Sequence, residues 1–228
     1  MDTSGKKNAA ERAVKDGYAL SETGSHEKAR VAFRLAAGLF AEIGDLRQQA
    51  VAFYAAGNVC ARMERGDEAL DSFSRAIDLL REEGDSPAQA KAWTHKGLIL
   101  VQQQRFQEAL TCFEEALMLF LKGKEPMRVA EQWGNIGSVY RDLEQPDDAL
   151  ENYLRAHSIY RELGQTERIA DQCTNIAYTR FMKQDFADAL RWCREALAYY
   201  TEAGNEQKIR VTAENVERLE GALSEPAP

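Results

Sequence analysis

Asn135 and Asn175 stand one 40-residue step apart, in Trp133-Gly134-Asn135-Ile136-Gly137 and Cys173-Thr174-Asn175-Ile176-Ala177. A carboxamide donates and accepts hydrogen bonds together, so it can hold a peptide backbone whatever side chains that peptide carries. Each such bond contributes only about 0.5–1.5 kcal/mol net, so several positions must act together. The alternative is that these amides bond neighbouring helices or water. Residues for other chemistry are spaced without a pattern. His26, His95 and His157 fall at intervals that match neither each other nor the repeat. His157 shares a column of the 40-residue register with Ile77, Leu117 and Leu197, and reads as a partly buried, satisfied histidine. Cys60, Cys112, Cys173 and Cys193 form no CxxC pair and no zinc-type spacing with histidine. They lie in columns where other copies place apolar or small residues, and read as buried thiols. No Gly-rich phosphate loop, serine-nucleophile elbow or His-Glu metal motif occurs. The sequence therefore assigns no catalytic residue, no metal ligand and no cofactor, and reads as a protein that is not an enzyme.

The elements that must position the asparagines follow from the interval itself. Gly66-Asp67-Glu68-Ala69-Leu70, Phe106-Gln107-Glu108-Ala109-Leu110, Pro146-Asp147-Asp148-Ala149-Leu150 and Phe186-Ala187-Asp188-Ala189-Leu190 recur on the same 40-residue step, with a weaker copy at Ala29. An interval that does not drift means one unit stacked on itself. Small residues occupy fixed columns: Gly17, Gly57, Gly97, Gly137 and Ala177, and Ala36, Ala76, Ala116, Ala156 and Ala196. Phe33, Phe73, Phe113, Tyr153 and Cys193 form a column four residues after the phrase alanine and three before the next alanine. That spacing is one face of a helix, with the small residues marking close helix contact.

Each unit reads as two antiparallel helices joined by a polar turn such as Glu64-Arg65-Gly66-Asp67. The predicted pairs are 9–22 and 25–43, 46–64 and 67–83, 87–104 and 106–122, 126–143 and 147–163, and 166–183 and 186–203. A terminal helix over 205–222 has a polar character suited to covering the end of an array. Ser86-Pro87-Ala88-Gln89 predicts an N-cap at Ser86 with Gln89 in its capping box. Gly44, Gly84, Gly164 and Gly204 suit left-handed helix closure, whereas Lys124 beside Gly123 predicts a different turn. Residues 1–8 and 224–228 are expected to be disordered tails flanking a single array over 9–223, with repeats at 9–44, 45–84, 85–124, 125–164 and 165–204.

Trp133-x2-Ile136-Gly137-x2-Tyr140 followed by Ala149-x3-Tyr153-x2-Ala156 resembles the tetratricopeptide repeat pattern. The second and third copies keep most columns; the fifth has Cys173 and Cys193 in the aromatic ones. The resemblance implies an all-α fold: a right-handed α-solenoid of five tetratricopeptide-type helix pairs plus a C-terminal capping helix. The 40-residue unit is longer than the commonest form, which runs to about 34 residues. Units of this longer kind resemble those of kinesin light chain, Pins-type adaptors and the peptide-sensing domains of some bacterial regulators. In that family the first helix of each pair lines a concave face. The resemblance implies peptide-binding roles there for Asn58, Arg62, Lys91, His95, Asn135, Arg141, Asn175 and Tyr178. Arg62, Lys91 and Arg141 read either as a clamp for an acidic peptide or as surface ion pairs. Tyr18, Tyr54 and Tyr178 read either as ligand anchors or as inter-helix packing.

The 228 residues carry a net charge of -8, which opposes binding to nucleic acid and to anionic membranes. No apolar run is long enough to span a bilayer, and the first ten residues have no signal-peptide character, so the expected location is cytoplasmic. The expected function is a protein-interaction scaffold or adaptor gripping an extended peptide. The alternatives are a self-associating module, with a weak homo-oligomer, and a peptide-sensing regulatory domain without an effector.

Overall fold

A computed structural model describes residues 2–224, which form eleven α-helices with no strand among them. The helices gather into two compact units, one through Gly123 and one from Lys124 on. The first holds α1 (Thr3–Glu22), α2 (His26–Ile43), α3 (Leu46–Arg62), α4 (Gly66–Glu83), α5 (Ser86–Gln102) and α6 (Phe106–Lys122). The second holds α7 (Pro126–Asp142), α8 (Pro146–Glu162), α9 (Thr166–Met182), α10 (Phe186–Ala203) and α11 (Glu206–Ser224). Within each unit consecutive helices pack side by side, as the five-pair reading requires, and α11 lies against α10. No described helix is long and apolar enough to cross a membrane.

The columns are the packing rule. A Cβ added at Gly57 would lie 2.8 Å from the Phe73 ring, and one at Gly97 2.7 Å from the Phe113 ring. In the second unit a Cβ at Gly137 would lie 2.8 Å from the Tyr153 ring and 3.2 Å from the Ala149 carbonyl. The ring of the second helix thus rests on the bare backbone of the first, and Phe73, Phe113 and Tyr153 are fully buried. Burying such a ring contributes about 1.5–3 kcal/mol.

Residues in the left-handed region fall every 20 positions: Gly24, Gly44, Glu64, Gly84, Gln104, Lys124, Glu144, Gly164, Gln184 and Gly204. The 40-residue unit is therefore two half-units, each a helix and a short turn. Lys124 (φ 54) takes the conformation that glycine takes at the equivalent positions, so the turn expected to differ keeps its geometry. Single non-glycine residues hold this left-handed conformation at Glu64, Gln104, Glu144 and Gln184 as well, which is why glycine spacing alone misjudged it.

Three boundary expectations change. Residues 3–8 belong to α1, because the Asp2 carboxylate accepts from the Gly5 amide at 2.8 Å and caps the helix. Ser224 ends α11; Met1 and residues 225–228, expected in the tails, lie outside the described residues. The cap of α5 is Asp85 rather than Ser86. Its carboxylate accepts from Ala88 N at 3.2 Å, which moves Gln89 out of capping-box position and into a buried one.

Candidate functional site

The second unit brings Asn135 of α7 and Asn175 of α9 onto the wall of one cavity of about 370 Å³. One helical register separates them, so equivalent positions on two successive first helices face the same space. Neither side-chain amide has a hydrogen-bond partner among the described residues. Gly134 leaves room beside them: a Cβ there would stand 3.5 Å from the Gln172 amide nitrogen. Gln172 is itself buried, and its carbonyl oxygen is unpaired.

The charged groups of the cavity are already matched. Glu131 pairs with Arg128 at 2.8 Å and faces Arg168 at 3.9 Å. Asp171 accepts from Lys208 Nζ at 2.6 Å and from the Tyr200 hydroxyl at 2.7 Å. Thr174 Oγ1 lies 3.3 Å from the same hydroxyl. Burial pushes the Tyr160 phenol up to about 12, with the Glu131 charge adding to it. Burial likewise pushes the Tyr200 phenol far above its ordinary value. Both phenols stay protonated at neutral pH. With the ions paired, the carboxamides are the polar groups left to meet a ligand. Their chemistry suits uncharged N–H and C=O groups.

Tyr160, Tyr200 and Gln172 went unnoticed in the sequence, although columns carry their signal. Phe40, Leu80, Phe120, Tyr160 and Tyr200 form one, which turns phenolic only in the two members that line this cavity. Arg12, Ala52, Ala92, Gln132 and Gln172 form another, which carries a carboxamide only in the same two repeats.

Other predicted site residues lie elsewhere. Arg141 pairs with Asp142 at 2.8 Å, and its guanidinium lies 5.9 Å from the Tyr178 ring centre. Tyr178 is 53% exposed and borders a separate cleft of about 420 Å³ with Phe181, Cys193 and Leu219. Tyr18 and Tyr54 instead pack edge-to-face on Phe33 and Phe73, with ring centres 5.0 and 5.8 Å apart. The difference has a cause: the residue that would receive Tyr178 is Cys193, not a ring. In the first unit Arg62 donates to Ser21 Oγ at 3.3 Å and borders a cleft of about 510 Å³ with Gln102 and Gln103. His95 packs edge-on against Tyr54 and at a tilt against Phe73, Asn58 is half-buried on α3, and Lys91 is exposed on α5.

His157 is buried, as its column implies, but its Nε2 has no hydrogen-bond partner. All four cysteines are free and buried. Burial raises every thiol, that of Cys112 to about 11 and that of Cys173 to about 12.

The fold is shared with solved structures of low sequence identity. The apo form of RapI matches with a TM-score of 0.77 at 19% identity, over 83% of this chain and 53% of RapI. A Signal Transduction ATPase with Numerous Domains protein with a tetratricopeptide repeat sensor, from Pyrococcus horikoshii, matches with a TM-score of 0.85 at 14% identity. That match covers 97% of this chain and 34% of the other. Nearly identical repeats of a putative kinesin light chain from Podospora anserina match with a TM-score of 0.71 at 10% identity, over 85% of this chain and 95% of theirs. The chain thus spans about half of RapI and a third of the ATPase. No curated protein sequence matches it. The tetratricopeptide repeat model matches residues 48–122 and 128–202, and the chain belongs to the tetratricopeptide repeat family.

Proposed function

We propose that this protein is an interaction module whose second unit holds an extended segment of a partner protein, gripping its backbone with Asn135 and Asn175. The observation that carries this reading is the pair of unpartnered amides on one cavity whose charges are otherwise matched. Tyr160, Tyr200 and Gln172 complete the wall and add polar groups at fixed positions. In the first unit Asn58, Arg62, Lys91 and His95 are the corresponding candidates, and Arg62 borders a cleft of its own. The role as adaptor or scaffold follows from holding a segment without a reaction, and a cytoplasmic setting fits the buried free thiols.

A peptide-array screen followed by calorimetry on the strongest binder tests this. Two lost backbone bonds predict that Asn135→Ala with Asn175→Ala weakens binding by about tenfold or more. Undiminished binding by the double variant, with its melting temperature retained, would overturn the assignment.

A further inference from the structure

Three side chains from three successive helices converge in the second unit: His157 of α8, Cys173 of α9 and Glu195 of α10. One donor atom from each lies within 4.8 Å of the other two. His157 Nε2 and Glu195 Oε1 are 3.9 Å apart, beyond hydrogen-bond reach. Nε2 is left without a partner on a side chain 7% exposed. An unpaired buried imidazole nitrogen needs an explanation.

The repeat shows how unusual the cluster is. Cys173 occupies the column of Phe53, Trp93 and Trp133, and His157 that of Ile77, Leu117 and Leu197. In the first unit Ile77 and Trp93 meet in an apolar cluster. Glu195 shares its column with Leu35, Arg75, Glu115 and Arg155, and the guanidinium groups of Arg75 and Arg155 lie 5.4 and 4.6 Å from the rings of Phe53 and Trp133. The junction of the fourth and fifth pairs thus departs from the pattern at two contacting positions, ring to thiol at Cys173 and aliphatic to imidazole at His157, with the Glu195 carboxylate beside them. Trp192 closes one side, its ring edge-on to His157 at 5.4 Å.

We propose that His157, Cys173 and Glu195 form a binding site for a borderline divalent transition-metal cation of the zinc type, with water as fourth ligand. Nitrogen, sulfur and carboxylate oxygen are the donors such a cation takes in tetrahedral geometry. Bonds of about 2.0–2.3 Å place tetrahedral donors about 3.4–3.6 Å apart, so the cluster must close by about 1 Å. Glu195 has the freedom for this, being a third exposed, and its exposed side gives an entry path. On binding, the Cys173 S–H proton leaves to solvent and the thiolate takes its place on the cation. The pattern escapes motif searches because the ligands lie on separate helices, far apart along the chain.

Cobalt(II) titration of the full chain, tag-free and reduced with a phosphine, tests the site. The expected result is one Co²⁺ per chain, with a thiolate-to-cobalt charge-transfer band and competition by Zn²⁺. His157→Leu installs the residue of the equivalent position 117, so it should keep the helical spectrum and melting behaviour. It should weaken Co²⁺ binding by about 100-fold or more, beyond the cost of losing an outer-shell partner. Cys173→Ala should abolish the charge-transfer band, whereas Cys193→Ala should leave it. Absence of stoichiometric binding by the parent chain would overturn the proposal. So would a band that survives in folded His157→Leu or Cys173→Ala.

Discussion

The Tyr200 hydroxyl donates to the Asp171 carboxylate at 2.7 Å, tying the second helix of the fifth pair to the first. The same carboxylate accepts from Lys208 on α11, so one acid joins three helices beside the cavity that Asn135 and Asn175 line. Tyr200→Phe keeps the ring and removes the donor. It should lower stability by about 1 kcal/mol, since Asp171 retains Lys208 and partial access to water. Chemical denaturation checks this, and a value unchanged from the parent would mean the bond is replaced by solvent at no cost.

The phenols also set a pH dependence. Tyr153, Tyr160 and Tyr200 all have raised values in the folded state, with burial the largest cause. An unfolded tyrosine titrates near 10, so above that pH the unfolded chain loses protons that the folded chain keeps. This contribution is complete below pH 10 and is lost as pH rises through the folded values, that of Tyr160 being about 12. Denaturation midpoints should therefore fall between about pH 10 and about pH 12, and Tyr160→Phe should flatten the fall. A slope unaffected by that substitution would contradict the assignment.

Gly137 has no room for a side chain. Its missing Cβ would meet both the Tyr153 ring and the Ala149 backbone carbonyl. Gly137→Leu should cost about 1–3 kcal/mol through strain in a packed contact. Differential scanning calorimetry would show a lower melting temperature; an unchanged one would contradict the packing rule.

The fifth pair obeys the same rule with both members changed, Ala177 against Cys193. Cys193→Phe alone should be destabilising because Ala177 carries the Cβ that the other ring-bearing pairs lack. Adding Ala177→Gly should recover part of the loss, with a coupling of about 0.5–3 kcal/mol in a double-mutant cycle. The double variant would place a ring beside Tyr178 and narrow the cleft of about 420 Å³. Strict additivity of the two substitutions would mean that the ring and the small residue do not meet there.

Repetition made the fold legible. Each glycine, alanine and ring is read several times at one interval, so local helix pairing and the packing columns follow from the chain alone. Helix ends were less legible, because a cap depends on one backbone dihedral. Asp85 displaces Ser86, and Lys124 adopts a glycine-like turn, through local geometry that spacing does not encode.

The candidate site divides along the same line. Asn135 and Asn175 were visible because they recur on the repeat interval, and the structure places them on one cavity. That their amides have no partner, that Tyr200 and Lys208 share Asp171, and that His157 meets Cys173 could be decided only in three dimensions. A periodic sequence determines which residues occupy equivalent places along the helices. Whether a side chain there is satisfied depends on atoms from neighbouring helices at distances of a few ångströms, and only the packed tertiary structure sets those.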